Sequence, residues 1–190
     1  MSLVFARYPF FFLRHGVTDH NLGRLVMGQL DIPLNSLGRH QAETAALHLR
    51  HAGVARVLAS PLARARETAE IVASRLHLPV EIVDGLKERD WGAMTGRSYR
   101  DLMRARHLPE GAETPEVFAQ RILAALDGAP RAEPLLVVAH SGACRVLRRF
   151  LAIDDGEGPV PNAVPLLFSP TANGGWNEQP LAPCAAHRYR

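Results

Sequence analysis

The chain has 190 residues, 47% of them apolar and 22% charged, with a formal net charge of +3. That profile excludes collagen-like, low-complexity and disulfide-scaffold chains, and no run of 18 apolar residues is present to make a transmembrane helix. All of the 22 basic residues except Lys87 are Arg, and no basic run reaches five, so neither a nucleic acid nor a membrane surface is expected as partner.

In chain order, the first apolar stretch is interrupted by Arg7 and Pro9 with no A-x-A cleavage pattern after it, which points to a cytoplasmic protein. Phe10–Leu13 reads as a buried strand. Ser36–His51 reads as a helix capped by Asn35 or Ser36, with Leu37, Gln41, Thr44, Ala45 and Leu49 at helical spacing and Gly53 as its stop. Val54–Ala59 is the second buried strand. Ser60-Pro61 opens a helix over Leu62–Leu76, with Pro61 in the favoured first turn and Ala65, Ala69, Val72, Ala73 and Leu76 as its apolar stripe. Val80–Val83 is a third buried strand. Ser98–His107 reads as a short polar helix inside a small lid insertion at about residues 86–114. Pro115–Leu126, with Thr114 as cap and Gly128 as stop, precedes a fourth buried strand at Leu135–Ala139 and a helix from about Gly142 to Leu151. Cys144 is expected inside that helix. Cys184 is 40 residues further on, so the two make neither a disulfide framework nor a zinc knuckle. Beyond Asp154 the chain is rich in Pro and Gly. Asn162–Phe168 reads as the last strand, assigned to a sheet edge by Pro165.

Apolar strands alternating with helices define an α/β fold. The expectation is a three-layer sandwich, one domain over residues 1–190, with a mostly parallel central sheet and helices on both faces. A core of this size buries roughly 70% of the unfolded surface, so no disulfide or structural metal is required.

In open parallel sheets, ligands bind beyond the C-terminal ends of the strands. Each of the four strands is followed by a polar group there: Arg14 with His15, then Arg64, then Glu88, then His140 with Ser141 and Gly142. Two guanidiniums match phosphate oxygens, and a helix starting near Gly142 adds N–H donors and a positive dipole end. Ser141 and Gly142 leave room for an oxyanion. Such a pocket suits a tetrahedral anion: one neutral imidazole could attack phosphorus, one carboxylic acid could protonate the departing oxygen, and the cations could hold the equatorial oxygens. Asp90, Glu110 and Glu113 compete with Glu88 for the acid's place, and Arg64 could instead pair with Glu67 or Glu70 on its helix. Arg66 faces elsewhere. The other seven histidines read as surface or structural. His48 and His51 share a helix face without a carboxylate or cysteine nearby, so neither a metal nor a cofactor is expected. Trp91 and Tyr99 read as lid or core aromatics.

The same residues carry a family resemblance. Arg14-His15-Gly16-Val17-Thr18 with Asn21 resembles the R-H-G signature of the histidine phosphatase superfamily, which includes phosphoglycerate mutases. Four more blocks follow in order. Leu34 to Ala42 resembles L-x-x-x-G-x-x-Q-A, and Ser60 to Thr68 resembles S-x-L-x-R-A-x-x-T. Leu86-Lys87-Glu88 with Gly92 and Gly96 resembles L-x-E-x-x-x-G-x-x-x-G, and Val137 to Gly142 resembles the strand bearing the second histidine. The resemblance spans about residues 10–150. It implies that His15 is the nucleophile, Glu88 the proton donor and then the base, and that Arg14, Arg64 and His140 form the phosphate pocket with Asn21 as helper, without a metal. Val17 stands where the family often has Glu or Gln, and Ser141 where Gly is common.

Three functions fit this set: a phosphomonoester hydrolase of a small metabolite, a cofactor-dependent phosphoglycerate mutase, and a non-catalytic phospho-ligand binding module. Only about thirty residues separate Gly85 from Pro115, a short insert that favours water as acceptor and hence the hydrolase. Its Arg97, Arg100, Arg104 and Arg106 could still meet an anionic substrate.

Overall fold

In the computed structural model, which describes residues 8–127, 134–153 and 158–181, alternation along the strands sorts the core into two halves. Successive side chains of β1 (Phe10–Arg14) and β4 (Leu135–Ala139) point to opposite faces. Phe10, Phe12, Leu135 and Val137 pack with Phe118 and Ile122 of α5 (Pro115–Asp127) and with Cys144 and Leu147 of α6 (Ser141–Phe150). Phe11, Leu13, Leu136 and Val138 pack with Ala45 and Leu49 of α2 (Ser36–Leu49) and with Ala69 and Val72 of α3 (Ala63–Leu76). The result is a three-layer α/β sandwich.

The sheet has six strands in the order β3-β2-β4-β1-β5-β6, where β2 is Arg56–Ala59, β3 Val80–Ile82, β5 Leu166–Pro170 and β6 Trp176–Pro180. The first four in that order pair in parallel, and β5 and β6 are antiparallel. Arg14 stands opposite Ala139, so His15 and His140 leave adjacent strands side by side. α2, between β1 and β2, covers one face of the sheet and α6, directly after β4, covers the other. Neighbouring parallel strands whose helices diverge leave a crevice at their C-terminal ends.

Several expectations change. β3 is an outer strand paired only with β2, and Glu81 and Ile82 are exposed, so Val80–Val83 is not a buried run. β2 begins at Arg56, where its pairing with Leu135 of β4 starts, two residues later than expected. α3 begins at Ala63 with Leu62 as its cap, which puts Pro61 ahead of the helix. Leu62 offers no cap oxygen; Asp31 Oδ1 accepts the Ala63 N–H at 2.6 Å and supplies an anion at that positive end. Asn162–Phe168 is neither the last strand nor an edge: the strand is Leu166–Pro170, and β6 pairs beyond it. Pro180 occupies the true edge instead. Asn35, not Ser36, caps α2, and the lid helix shortens to α4 (Tyr99–Arg104) with Ser98 as its cap. Gly128, Asp154 and Cys184 lie outside the described residues. No helix among the described residues is long and apolar enough to cross a membrane.

The segment over residues 86–114 is stitched to the loop after α1 (Asp19–Leu22). Val26 donates to the Arg97 carbonyl and accepts from the Gly96 N–H, both at 2.8 Å, and the Tyr99 N–H reaches the Arg24 carbonyl at 2.8 Å.

Candidate active site

His15 is held on every side by bonds to backbone. Its own N–H continues the ladder to the Ala139 carbonyl at 3.0 Å. Its carbonyl accepts from Asn162 Nδ2 at 2.8 Å. The following Gly16 N–H donates to Thr68 Oγ1 at 3.0 Å, and the Val17 N–H to Gln41 Oε1 at 2.9 Å. Here α2 presses directly on the loop: a Cβ on Gly38 would come within 2.1 Å of the Val17 carbonyl oxygen. These bonds give roles to the Gly, Gln and Thr of two sequence blocks that otherwise served only as markers.

The imidazole is 2% exposed. Its Nδ1 lies 2.7 Å from the Gly16 carbonyl, so Nδ1 carries the proton and Nε2 keeps its lone pair. Burial, reinforced by the nearby Arg14 and Arg64 charges, pushes its pKa well below the usual histidine value. It is therefore neutral at pH 7, with the lone pair on Nε2.

His140 stacks obliquely against His15, ring centroids 5.3 Å apart, and is fully buried behind it instead of on the cavity wall. Its Nε2 is 2.8 Å from Ser60 Oγ, which in turn accepts the Leu62 N–H at 3.3 Å. The Ser60 proton then goes to Nε2, which leaves the proton of neutral His140 on Nδ1. Burial, then Arg64, lowers its pKa as well.

Arg64 is fully buried, with Nη1 donating to the Leu30 carbonyl at 2.7 Å and Nη2 to the Gly28 carbonyl at 2.8 Å. The pairing with Glu67 or Glu70 does not occur: Glu67 pairs with Arg39, and Glu70 with the exposed Arg66. Arg14 Nη1 donates to the Val160 carbonyl at 2.7 Å. Burial lowers both guanidiniums to a pKa of about 10, still cationic at pH 7, with the Glu88 charge partly offsetting the cost. Arg14 Nε, Arg64 Nε and His140 Nδ1 are buried without a protein partner. Buried donors are rarely left so in folded proteins, and three around one imidazole define where an anion is wanted.

Glu88 comes from the third strand's exit. Its Oε1 accepts the Arg89 N–H at 2.8 Å and its Oε2 the Gly142 N–H at 3.2 Å, at the start of α6. A Cβ on residue 142 would meet Glu88 Oε1 at 2.2 Å, so a side chain there would push the Glu88 carboxylate from its place. The competing carboxylates are occupied or remote: Asp90 accepts the Gly92 N–H, Glu113 pairs with Arg121 and Glu110 is exposed. Arg121 also fixes the backbone under Glu88, donating to the carbonyls of Gly85 at 2.8 Å, Lys87 at 3.0 Å and Glu88 at 3.4 Å.

Arg14, His15, Asn21, Arg64, Glu88, Ser141 and Gly142 all line one cavity of about 980 Å³. Asn21 spends its Oδ1 on the Thr18 cap, which leaves its Nδ2 to offer. Trp91 and Tyr99 line the same cavity, Trp91 with the Arg89 guanidinium 4.2 Å above its ring. Two expectations fail here. His20 lines the cavity instead of being a plain surface group. Arg97, Arg100, Arg104 and Arg106 are exposed and do not line it; Arg24, Arg89, Arg145 and Arg149 do. Among the described residues, no group of three or more His, Cys, Asp or Glu side chains could hold a metal ion. Cys144 is buried, and burial pushes its thiol up to about 12, so it is unreactive.

A neutral imidazole, two guanidiniums and a carboxyl around one hole form a site for phosphoryl transfer, and the chain belongs to the histidine phosphatase superfamily (branch 1), whose family model matches residues 10–161. It is a phosphatase of the histidine phosphatase type. An uncharacterized phosphatase, PhoE, of Bacillus subtilis is 35% identical over 152 residues, covering 76% of this chain and 78% of that protein. The adenosylcobalamin/alpha-ribazole phosphatase of Salmonella typhimurium is 32% identical over 151 residues, covering 71% and 75%. Among solved structures, a mycobacterial glucosyl-3-phosphoglycerate phosphatase in complex with VO3 superposes with a TM-score of 0.78 at 27% identity, covering 91% of this chain and 98% of that one.

Proposed function

We propose that the chain is a metal-independent hydrolase of a small phosphorylated metabolite, working through a phosphohistidine on His15. The observation that carries this reading is the fixed tautomer of His15, with Nδ1–H tied to Gly16 and Nε2 left as the nucleophile beside Arg14 and Arg64. His15 Nε2 attacks phosphorus while the P–O ester bond breaks, and Glu88 gives its proton to the departing oxygen. Water then attacks phosphorus, Glu88 takes a proton from it, and the P–N bond breaks to release phosphate and His15. Arg14 and Arg64 hold the non-bridging oxygens, and His140, which does not line the cavity, steadies the His15 ring it packs against. Asn21, Ser141 and Gly142 complete the wall. The names of the alpha-ribazole and glucosyl-3-phosphoglycerate phosphatases support a small metabolite as substrate, and the VO3 complex supports vanadate as an inhibitor.

Two measurements test it. Mixed with a radiolabelled phosphomonoester and quenched rapidly, the protein should carry an acid-labile, alkali-stable label that His15→Ala does not acquire. Phosphate release should persist in EDTA and stop in His15→Ala, with a loss of at least ~10⁴-fold. A fast His15→Ala variant, or activity lost to EDTA and restored by zinc, would overturn the reading. Isomerisation of 3-phosphoglycerate without phosphate release would replace hydrolase by mutase.

A further inference from the structure

A buried ion pair lies behind the cavity, outside the site described above. Arg148 of α6 is 7% exposed and does not line the cavity. Its Nε and Nη2 each donate to the Glu178 carboxylate of β6 at 2.6 Å. The same guanidinium also reaches backbone, with Nη1 donating to the Gly158 carbonyl at 2.8 Å and Nη2 to the Pro159 carbonyl at 3.3 Å. Buried ion pairs contribute little net stability compared with apolar residues of similar volume, so what this pair holds in place matters more than the pair itself.

It holds a strap across the end of β1. Within residues 158–163, Val160 packs into the core half of α5 and α6, and Ala163 into the half of α2 and α3. Between them the strap meets the phosphate-binding turn three times. The Val160 carbonyl accepts Arg14 Nη1 at 2.7 Å, Asn162 Nδ2 donates to the His15 carbonyl at 2.8 Å, and the Ala163 N–H donates to the Arg14 carbonyl at 2.9 Å. Two guanidiniums thus hold successive carbonyls, Arg148 that of Pro159 and Arg14 that of Val160. Pro159 and Pro161 flank Val160, and proline fixes its own φ and restricts the residue before it. The strap therefore has little freedom to absorb a shift at Pro159 before it reaches the Val160 carbonyl. Arg14 Nε is buried without a protein partner, so the bond at Nη1 sets which way the fork opens. We propose that Arg148 and Glu178 are positioning residues, a clamp that acts through the Gly158–Val160 carbonyls to aim the Arg14 guanidinium at the transferred phosphate. This clamp rests on the hydrolase reading above, because it works only through Arg14.

The test is a double-mutant cycle read by calorimetric titration with vanadate. Arg148→Met with Glu178→Gln removes both charges together, so no unpaired ion is left buried. With Arg14 present, this change should weaken vanadate binding about 10-fold, the worth of a hydrogen bond to a charged group, and kcat/KM should fall by the same factor on aryl and alkyl phosphates, because the acid is untouched. In an Arg14→Met background the same change should alter vanadate affinity by about 2-fold or less. Arg148→Lys is the milder probe, since it keeps the charge pair but cannot make both carbonyl bonds. It should cost about 3-fold with Arg14 present and nothing measurable in the Arg14→Met background, and it decides the matter if the double variant does not fold. Equal losses in both backgrounds would overturn the clamp and leave the pair as a tie between α6 and β6, and so would unchanged affinity with Arg14 present. His15→Ala separates the two readings. If it abolishes ester hydrolysis while the cycle shows no coupling to Arg14, the clamp alone fails; if turnover survives, the hydrolase reading fails and the clamp with it.

Discussion

At the inner end of the cavity, each site residue is tied down: the His15 ring to the Gly16 carbonyl and its backbone to the Ala139 carbonyl and the Asn162 side chain, Arg64 to the Gly28 and Leu30 carbonyls, Glu88 to the N–H groups of Arg89 and Gly142. At the outer end, Arg24, Arg89, Arg145 and Arg149 reach in from three separate segments, between walls formed by Met27, Trp91, Phe118 and Phe150. The inner end is placed by the β1–β4 register and by helix starts, which are stiff. The outer end is made of long side chains on α6 and on short, stitched loops. Phosphoryl chemistry is thus set by the sheet, and choice of substrate by side chains that can change without disturbing it.

The largest effect that can break this contrast is at Glu88. Gln keeps the shape but cannot give up a proton, and its amide meets two N–H donors where the carboxyl accepted both. Glu88→Gln should slow alkyl phosphates by about 10² to 10⁴-fold, the usual worth of general acid catalysis, and aryl phosphates with good leaving groups far less. A steady-state comparison of the two ester types checks it. Equal slowing of both would mean that Glu88 only shapes the hole, and the inner end would then be a binding site more than a reacting one.

Legibility in the sequence follows the same division. FFFL and LLVVA are buried on both faces, so they read as central strands, and the polar residues after them read as a site. β6 was missed because Trp176–Pro180 alternates half-buried and exposed and contains no apolar run. β3 looked buried because an apolar run does not reveal how many neighbours its strand will have. Asn162 and Arg121 escaped notice because they act on backbone 147 and about 35 residues away. The arginines of the 86–114 insert give no sign in the sequence that they face away from the cavity, because α4 is short and exposed. Counting three, four and seven residues onward from Gly142 would have pointed to Arg145 and Arg149 instead.

Arg121 offers a smaller and sharper test. It does not line the cavity, yet it holds the carbonyls of Gly85, Lys87 and Glu88 and grips the Glu113 carboxylate at 2.7 and 2.9 Å. Removing it alone would leave Glu113 half-buried and unpaired, so the informative variant is Arg121→Met with Glu113→Gln. We expect about a 10-fold fall in kcat on alkyl phosphates with KM little changed, because the acid is displaced and the phosphate donors are not. A rise in KM with kcat preserved would instead assign Arg121 to substrate binding and blur the two ends.

The smallest effect concerns acid stability, and it separates the ends without a substrate. His15 and His140 are buried and neutral, their pKa values held well below the ordinary 6.5 by burial and by Arg14 and Arg64. Once unfolded, both take up protons below about 6.5. The unfolded chain therefore binds more protons than the folded one as pH falls from there, and stability is lost in that direction, by up to about 1.4 kcal/mol per pH unit for each histidine. Urea melts between pH 7 and 5 should show that slope, and His140→Gln should halve it. Saturating vanadate should flatten it, because an anion between the guanidiniums offsets the charge that keeps the imidazoles neutral. A slope that survives vanadate and His140→Gln unchanged would place the acid-sensitive groups away from the inner end of the cavity.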